Sequence, residues 1–200
     1  EAMEKGKMKA HVADRLFIRH WDAWEDGKRT HVLVMDLADA GAPLRDLTPG
    51  DFDSPAFTVG GGADFAVSPD GKELVFTSNR DAQLATSTNS DLWVVPIDGS
   101  PEALAAPRKI TAANRAFDGS PRYSPDGRSI AYRTQPGPAF ESDRPVLAVY
   151  DRAAQTFGYD AYGHRIGSRS STDLAALRPR ARRGLPQASR LRRRPRRRDG

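Results

Sequence analysis

One eleven-residue pattern, centred on Ser-Pro-Asp-Gly, occurs twice in this chain. Ala66-Val67-Ser68-Pro69-Asp70-Gly71-Lys72-Glu73-Leu74-Val75-Phe76 returns as Arg122-Tyr123-Ser124-Pro125-Asp126-Gly127-Arg128-Ser129-Ile130-Ala131-Tyr132, 56 positions on. A second apolar run follows each copy, Leu92-Trp93-Val94-Val95-Pro96-Ile97 and Val146-Leu147-Ala148-Val149-Tyr150, and Val32-Leu33-Val34-Met35-Asp36-Leu37 is an earlier counterpart. Units close on a short strand ending in Thr, Leu44 to Thr48 first and Arg108 to Thr111 next. A repeat of motif and spacing together restricts the fold to stacked copies of one supersecondary unit.

The unit reads as antiparallel β-structure. In Ser-Pro-Asp-Gly, proline presets φ near −65°, the Ser and Asp side chains bond nearby backbone N–H groups, and glycine accepts positive φ. Apolar residues then alternate, Leu74 and Phe76 in one copy, Ile130 and Tyr132 in the other, as on a strand. The intervening stretches carry no helical stripe; residues 1–13 are a linker or partial helix. About four strands in roughly 55 residues is the signature of a β-propeller blade. The expected fold is all-β: an incomplete propeller of about two and a half blades, near residues 14–48, 54–111 and 118–157. The third blade is expected to stop after Thr156, before a closing strand. Propellers typically need four to eight blades, so these cannot close a ring.

Composition sorts the rest. The net charge of +5 conceals two halves: residues 1–157 hold 18 Lys+Arg against 23 Asp+Glu, whereas residues 158–200 hold 13 Arg and three Asp. That tail has neither Phe nor Trp and cannot bury enough apolar surface to offset its ordering entropy, so a disordered basic tail is expected. Its Arg, Ala, Pro, Gly and Ser bias and its start in mid-blade match a GC-rich coding region read out of frame, and a frame slip near Phe157–Gly158 is the preferred reading. A genuine phosphate-binding arm and an unrelated linker are the alternatives. The arm reading offers only Tyr159 and Tyr162 for stacking on bases and no lysine. The absence of cysteine excludes a disulfide scaffold, a thiolate metal site and a cysteine nucleophile. No apolar run approaches the ~20 residues that span a bilayer, and Glu1 to Ala10 has no apolar signal region. The opening Glu1 suggests that the real beginning lies upstream.

The segment Arg19-His20-Trp21-Asp22-Ala23-Trp24-Glu25-Asp26-Gly27-Lys28-Arg29 followed by His31-Val32-Leu33-Val34, with the two Ser-Pro-Asp-Gly units and Asp91-Leu92-Trp93-Val94-Val95-Pro96, resembles the N-terminal propeller of the prolyl oligopeptidase family of serine peptidases. The resemblance is to its bacterial dipeptidyl aminopeptidase and acylaminoacyl peptidase branch and covers about residues 5–157. It implies a propeller that restricts entry of short peptides to an α/β-hydrolase domain. Members are often periplasmic or secreted; the compartment of this chain is left open. The Ser-Pro-Asp-Gly repeat alone is shared with TolB-like propellers, so a protein-interaction module without an enzyme is the alternative. The family's chemistry needs a G-x-S-x-G elbow followed by Asp and His. Gly167-Ser168-Arg169-Ser170-Ser171 fails that spacing. The expectation is a non-catalytic fragment with no catalytic, cofactor-binding or metal-ligating residue and no cofactor. Its partner is a peptide substrate reached through the missing hydrolase domain, with no membrane. Nucleic acid enters only through the 158–200 tail.

His20, Asp22, Glu25, Asp26 and His31 lie close in sequence but lack the spacing of a metal site, and read as loop polars. Trp21, Trp24 and Trp93 read as packing between blades, with Trp21 or Trp24 the ones that could face solvent. Gly60-Gly61-Gly62 lacks a following Gly-Lys-Ser/Thr and reads as the entry to a strand. Asn79-Arg80-Asp81 falls on a loop after a strand, where function and simple solvation compete.

Overall fold

Leu74, Val75 and Phe76 are all buried and belong to one strand, so the sheet that holds them is covered on both faces. The computed structural model describes residues 16, 18–20, 23–24, 27–39, 41–56 and 64–157. The expected linker at 1–13 and the basic tail at 158–200 lie outside them, as do Trp21, Asp22, Glu25, Asp26 and Gly60-Gly61-Gly62.

The described chain is mostly β-sheet, with β1 (Arg19–His20), β2 (Ala23–Trp24), β3 (Leu33–Val34), β4 (Arg45–Asp46), β5 (Phe65–Val67), β6 (Glu73–Ser78), β7 (Asp91–Pro96), β8 (Arg108–Lys109), β9 (Asp118–Tyr123), β10 (Ser129–Thr134), β11 (Val146–Asp151) and β12 (Thr156–Phe157). Two four-stranded antiparallel meanders, β5-β6-β7-β8 and β9-β10-β11-β12, form the second and third repeat units, and no barrel closes among the described residues. Two departures from expectation appear here. The third unit does begin its fourth strand: Phe157 pairs with Tyr150 and packs its ring against Tyr150 and Tyr132. Pro101–Ala105 forms a one-turn helix, α1, whose N-cap Ser100 accepts from Ala103 N–H, with Pro101 and Glu102 in its first turn. That is a capping signature too short to leave a periodic stripe.

The first unit is less regular than its apolar runs suggest. β3 pairs with β4 as a two-residue ladder, and β1 pairs with β2 in a separate hairpin. Two hydrogen bonds nonetheless match it to the second unit. Leu47 N–H donates to Val32 O as Ile110 N–H does to Leu92 O. Thr48 Oγ1 accepts from Val32 N–H as Thr111 Oγ1 does from Leu92 N–H. In these two units the closing threonine therefore caps the end of the strand ladder.

Both Ser-Pro-Asp-Gly turns fold identically. Ser68 Oγ donates to Asp70 Oδ1 at 2.6 Å and accepts from Glu73 N–H; Ser124 Oγ donates to Asp126 Oδ1 at 2.5 Å and accepts from Ser129 N–H. Those serine bonds hold the Asp70 and Asp126 carboxyls below their usual range. Gly71 and Gly127 sit at φ +72° and +69°, where other residues are strained.

The units stack with a direction. Val32, Val34 and Leu47 of the first unit pack on Leu74, Phe76, Trp93 and Val95 of the second. Val75, Leu92, Val94 and Ile110, on the second unit's other face, pack on Ile130, Tyr132, Ala148, Tyr150 and Phe157 of the third. Each fully buried aliphatic or aromatic side chain contributes roughly 1.5–3 kcal/mol. Ile130 and Tyr132 occupy the repeat positions of Leu74 and Phe76, so the same positions face the preceding unit each time. Polar contacts close the interface at its ends. Glu73 accepts from Tyr123 OH at 2.7 Å and from Arg152 at 2.9 Å; burial, then the bond to Glu73 and its charge, raise the Tyr123 phenol's pKa against the opposing charge of Arg152. Asp64 accepts from Ser120 N–H, in a β-bulge where Ser120 has φ 55°.

Candidate functional site

An antiparallel meander puts alternate connections at opposite ends of its sheet. The Ser-Pro-Asp-Gly turns and α1 therefore lie at one end. The longer loops 79–90, 110–117 and 135–145 gather at the other, the usual place for recognition on a rigid scaffold. There a cleft of about 640 Å³ opens between the second and third units, with Asp81, Asn89, Lys109, Asn114 and Arg115 among its walls. Its volume falls within the roughly 300–1,000 Å³ of ligand-sized clefts.

The cleft rests on a hydrogen-bonded polar floor. Asp81 accepts from Ser87 Oγ at 2.6 Å and from Asn89 Nδ2 at 3.2 Å. Chiefly the Ser87 bond keeps its carboxyl below the usual range, helped by Asn89 and the charges of Lys109 and Arg115. Asn89 Nδ2 also donates to Asp91 Oδ2, leaving Asn89 Oδ1 buried without a partner. Asp91 is buried; it meets Lys109 Nζ at 2.6 Å and accepts from Thr111 Oγ1 at 3.1 Å. Burial raises its pKa, outweighing those three donors. Deeper still, Asp118 accepts from Asn114 Nδ2 at 3.0 Å, while its Oδ2 has no partner. Burial pushes its pKa up to about 7 against the pull of Thr134 and Asn114. A buried carboxylate with one oxygen unbonded is costly, so the group takes up its proton near neutrality and not in the usual acid range.

This arrangement can bind polar groups, and no histidine lines it. Ser87 donates to a carboxylate rather than to a histidine. His31 lies in the first unit, where its ring nitrogens meet Asp46 Oδ2 at 2.6 Å and Gly50 O at 3.1 Å. Among the described residues, no group of three or more His, Cys, Asp or Glu side chains could hold a metal ion.

The residues singled out from the sequence scatter accordingly. His20 belongs to β1, and Trp24, on β2, is 54% exposed. Trp93 is half-buried between units, as expected. It stacks between Arg80 at 4.6 Å and Lys109 at 5.1 Å, and donates its indole N–H to Ser78 O. Of Asn79-Arg80-Asp81, the last reaches the cleft, whereas Arg80 turns toward Trp93 and Phe52, and its burial lowers its pKa. Asn89, Lys109, Asn114, Arg115 and Asp118 were not anticipated.

No family model matches the chain. Curated relatives do. A protein named probable dipeptidyl-peptidase 5 from Emericella nidulans is 30% identical over 158 residues, 73% of this chain and 22% of the relative. Dipeptidyl-peptidase 5 of Arthroderma otae is 34% identical over 163 residues, again 22% of its length. That of Aspergillus fumigatus is 30% identical over 165 residues. The chain is thus related to dipeptidyl peptidases and spans about a fifth of the length of these relatives.

Proposed function

We propose that this chain is a non-catalytic, propeller-type portion of a serine peptidase of the prolyl oligopeptidase kind. In the parent, the stacked units would screen short peptides on their way to a catalytic α/β-hydrolase domain. The observation that carries this reading is directional: four-stranded meanders stacked through equivalent positions, as propeller blades stack, in a chain related to dipeptidyl peptidases over about a fifth of their length. The polar cleft at the loop end suits a screening role, because it offers hydrogen-bonding groups of both kinds and its Ser87 is bonded to Asp81.

The test starts from the coding DNA, read well past both ends in all three forward frames. The expected product resumes the blade pattern and reaches a G-x-S-x-G elbow with Asp and His beyond it. Expressed whole, it releases dipeptides from chromogenic amide substrates, and replacing the elbow serine with alanine stops it. The 200-residue chain alone does not. Absence of the elbow from every frame, or turnover by the chain alone, overturns the reading.

A further inference from the structure

The cleft at the loop end lies between two described units, and Ala139 N–H of the third donates across it to Thr88 Oγ1 of the second at 2.8 Å. Its acids are already committed. Asp81 accepts from Ser87 through one carboxylate oxygen and from Asn89 through the other. Asp91 takes Lys109 and Asn89 on Oδ2 and Thr111 on Oδ1. The floor amides are spent as well. Asn89 Nδ2 is shared between the two acids, and Asn114 Nδ2 reaches Asp118, Thr134 and Gln135 O. The unpartnered Asn89 Oδ1 is buried, beyond a ligand's reach.

Donors are left over. Arg115 stands exposed on the cleft wall and forms no hydrogen bond or ion pair among the described residues. Its charge is felt at Asp81, yet Ser87 and Asn89 hold that carboxylate instead. Lys109, also on the wall, spends its ammonium on Asp91 alone and has three N–H groups to give. The Thr88 hydroxyl accepts from Ala139 and keeps its own proton for a further acceptor. A guanidinium with five N–H donors in a planar fork matches a carboxylate better than any other anchor in the cleft.

We propose that this cleft binds a carboxylate, held by the Arg115 guanidinium with help from Lys109 and the Thr88 hydroxyl, and that a short peptide carries it. The carboxylate follows from the unused donors; the peptide rests on the screening role proposed above. A ligand ammonium has the poorer claim, because both oxygens of Asp81 are engaged.

Backbone-amide NMR shifts of the full 200-residue chain, titrated with N-acetyl-trialanine at low salt, test it. Shifts are expected at the amides of Asn89, Arg115 and Ala139. The C-terminal amide of that peptide has no carboxylate and is expected to leave them unmoved. N-acetyl-Ala-Glu-Ala amide carries its only carboxylate on a side chain, so comparing it with N-acetyl-trialanine tells whether the chain terminus or an acidic residue is the source. Arg115→Gln is expected to weaken binding by roughly tenfold or more. Because Arg115 bonds nothing in the fold, the rest of the spectrum is expected to stay in place, and Arg115→Lys to keep part of the affinity. Arg128→Gln removes an arginine whose side chain is 87% exposed at the turn end of the stack, and is expected to change nothing. Equal binding of the uncharged amide, shifts confined to residues 158–200, affinity untouched by Arg115→Gln, or no shift with either carboxylate peptide overturns the proposal. The screening role fails separately. A parent that lacks the catalytic elbow leaves a carboxylate site without a peptidase, whereas a parent that releases dipeptides while the chain binds no carboxylate removes this site alone.

Discussion

Lys109 Nζ lies 2.6 Å from Asp91 Oδ2 in the second unit, at the two positions that Asp46 and His31 hold, also at 2.6 Å, in the first. Strand register makes the pairs equivalent: Leu33 is opposite Asp46 and Trp93 opposite Lys109. The acid has changed strands. In one unit it closes the ladder; in the other it opens the strand that the ladder closes on. What the repeat preserves is a bonded acid–base pair beside the capping threonine, whichever residue supplies the acid.

Asp91 depends on that pair because it is buried, whereas Lys109 reaches the cleft. Lys109→Met is expected to lower the stability of the chain by about 3 kcal/mol, as removing one partner of a buried pair does. Asp91→Asn together with Lys109→Met is expected to recover more than half of that loss, because no buried charge is then stranded. Urea midpoints of the single and double variants measure both numbers.

Asp118 makes stability depend on pH in a fixed direction. Its folded pKa of about 7 lies far above the ordinary carboxylate value, so the folded chain holds a proton that the unfolded chain releases. Stability is present in full below about pH 4, falls as pH rises through about 7 and is then level, for a total on the order of 4 kcal/mol. Asp91, also raised, acts in the same sense. Asp70, Asp81 and Asp126 are lowered and lose their contributions only at acid pH, outside this window. Urea midpoints are expected to drop between pH 5 and pH 8, and Asp118→Asn to remove most of that slope. An unchanged slope in Asp118→Asn would count against the assignment.

The two tight turns give a cleaner test. An alanine Cβ at Gly71 meets nothing within 4 Å, and at Gly127 only ordinary contacts. Any cost of substitution there comes from the positive φ and not from crowding. Gly71→Ala and Gly127→Ala are each expected to cost about 1 kcal/mol, and because Gly127 lies against Pro69 of the other turn, the double variant is expected to depart from their sum as contacting neighbours do. Thermal unfolding of the two single variants and the double variant measures that departure.

What could be read from the sequence divides along physical lines. β6, β7, β10 and β11 were legible because their apolar runs repeat with their turns, and Ser68 and Ser124 announce those turns by type. β12 was missed because Thr156-Phe157 is too short to carry a pattern; it is a strand because Tyr150 and Tyr132 give Phe157 a place to pack. α1 was missed because one helical turn has no stripe, although Ser100-Pro101-Glu102 spells its cap. Of the cleft, only Asp81 lay in a stretch marked beforehand. Asn114 reaches Asp118 and Thr134 through tertiary folding, and no local spacing encodes a contact between loops. The direction of stacking was equally hidden, since alternation tells which residues share a face but not which neighbour that face meets.

Tyr132 offers a substitution expected to help. Its ring packs on Phe157 at 6.0 Å within the core between the second and third units. Its hydroxyl is buried with no hydrogen-bond partner, and burial together with the charge of Asp118 keeps it protonated. A buried donor without an acceptor costs about 1–3 kcal/mol relative to the solvated unfolded chain. Tyr132→Phe keeps the ring and removes that donor, so it is expected to raise stability by about 1 kcal/mol. Tyr150→Phe is the contrast, because the Tyr150 hydroxyl accepts from Arg108 at 3.4 Å and its loss is expected to be neutral or mildly destabilising. Urea midpoints at pH 5, where Asp118 is protonated, isolate the hydroxyl from the carboxylate. A loss of stability in Tyr132→Phe at that pH means that the hydroxyl is satisfied in solution, and that this end of the interface is held together by more than its apolar centre.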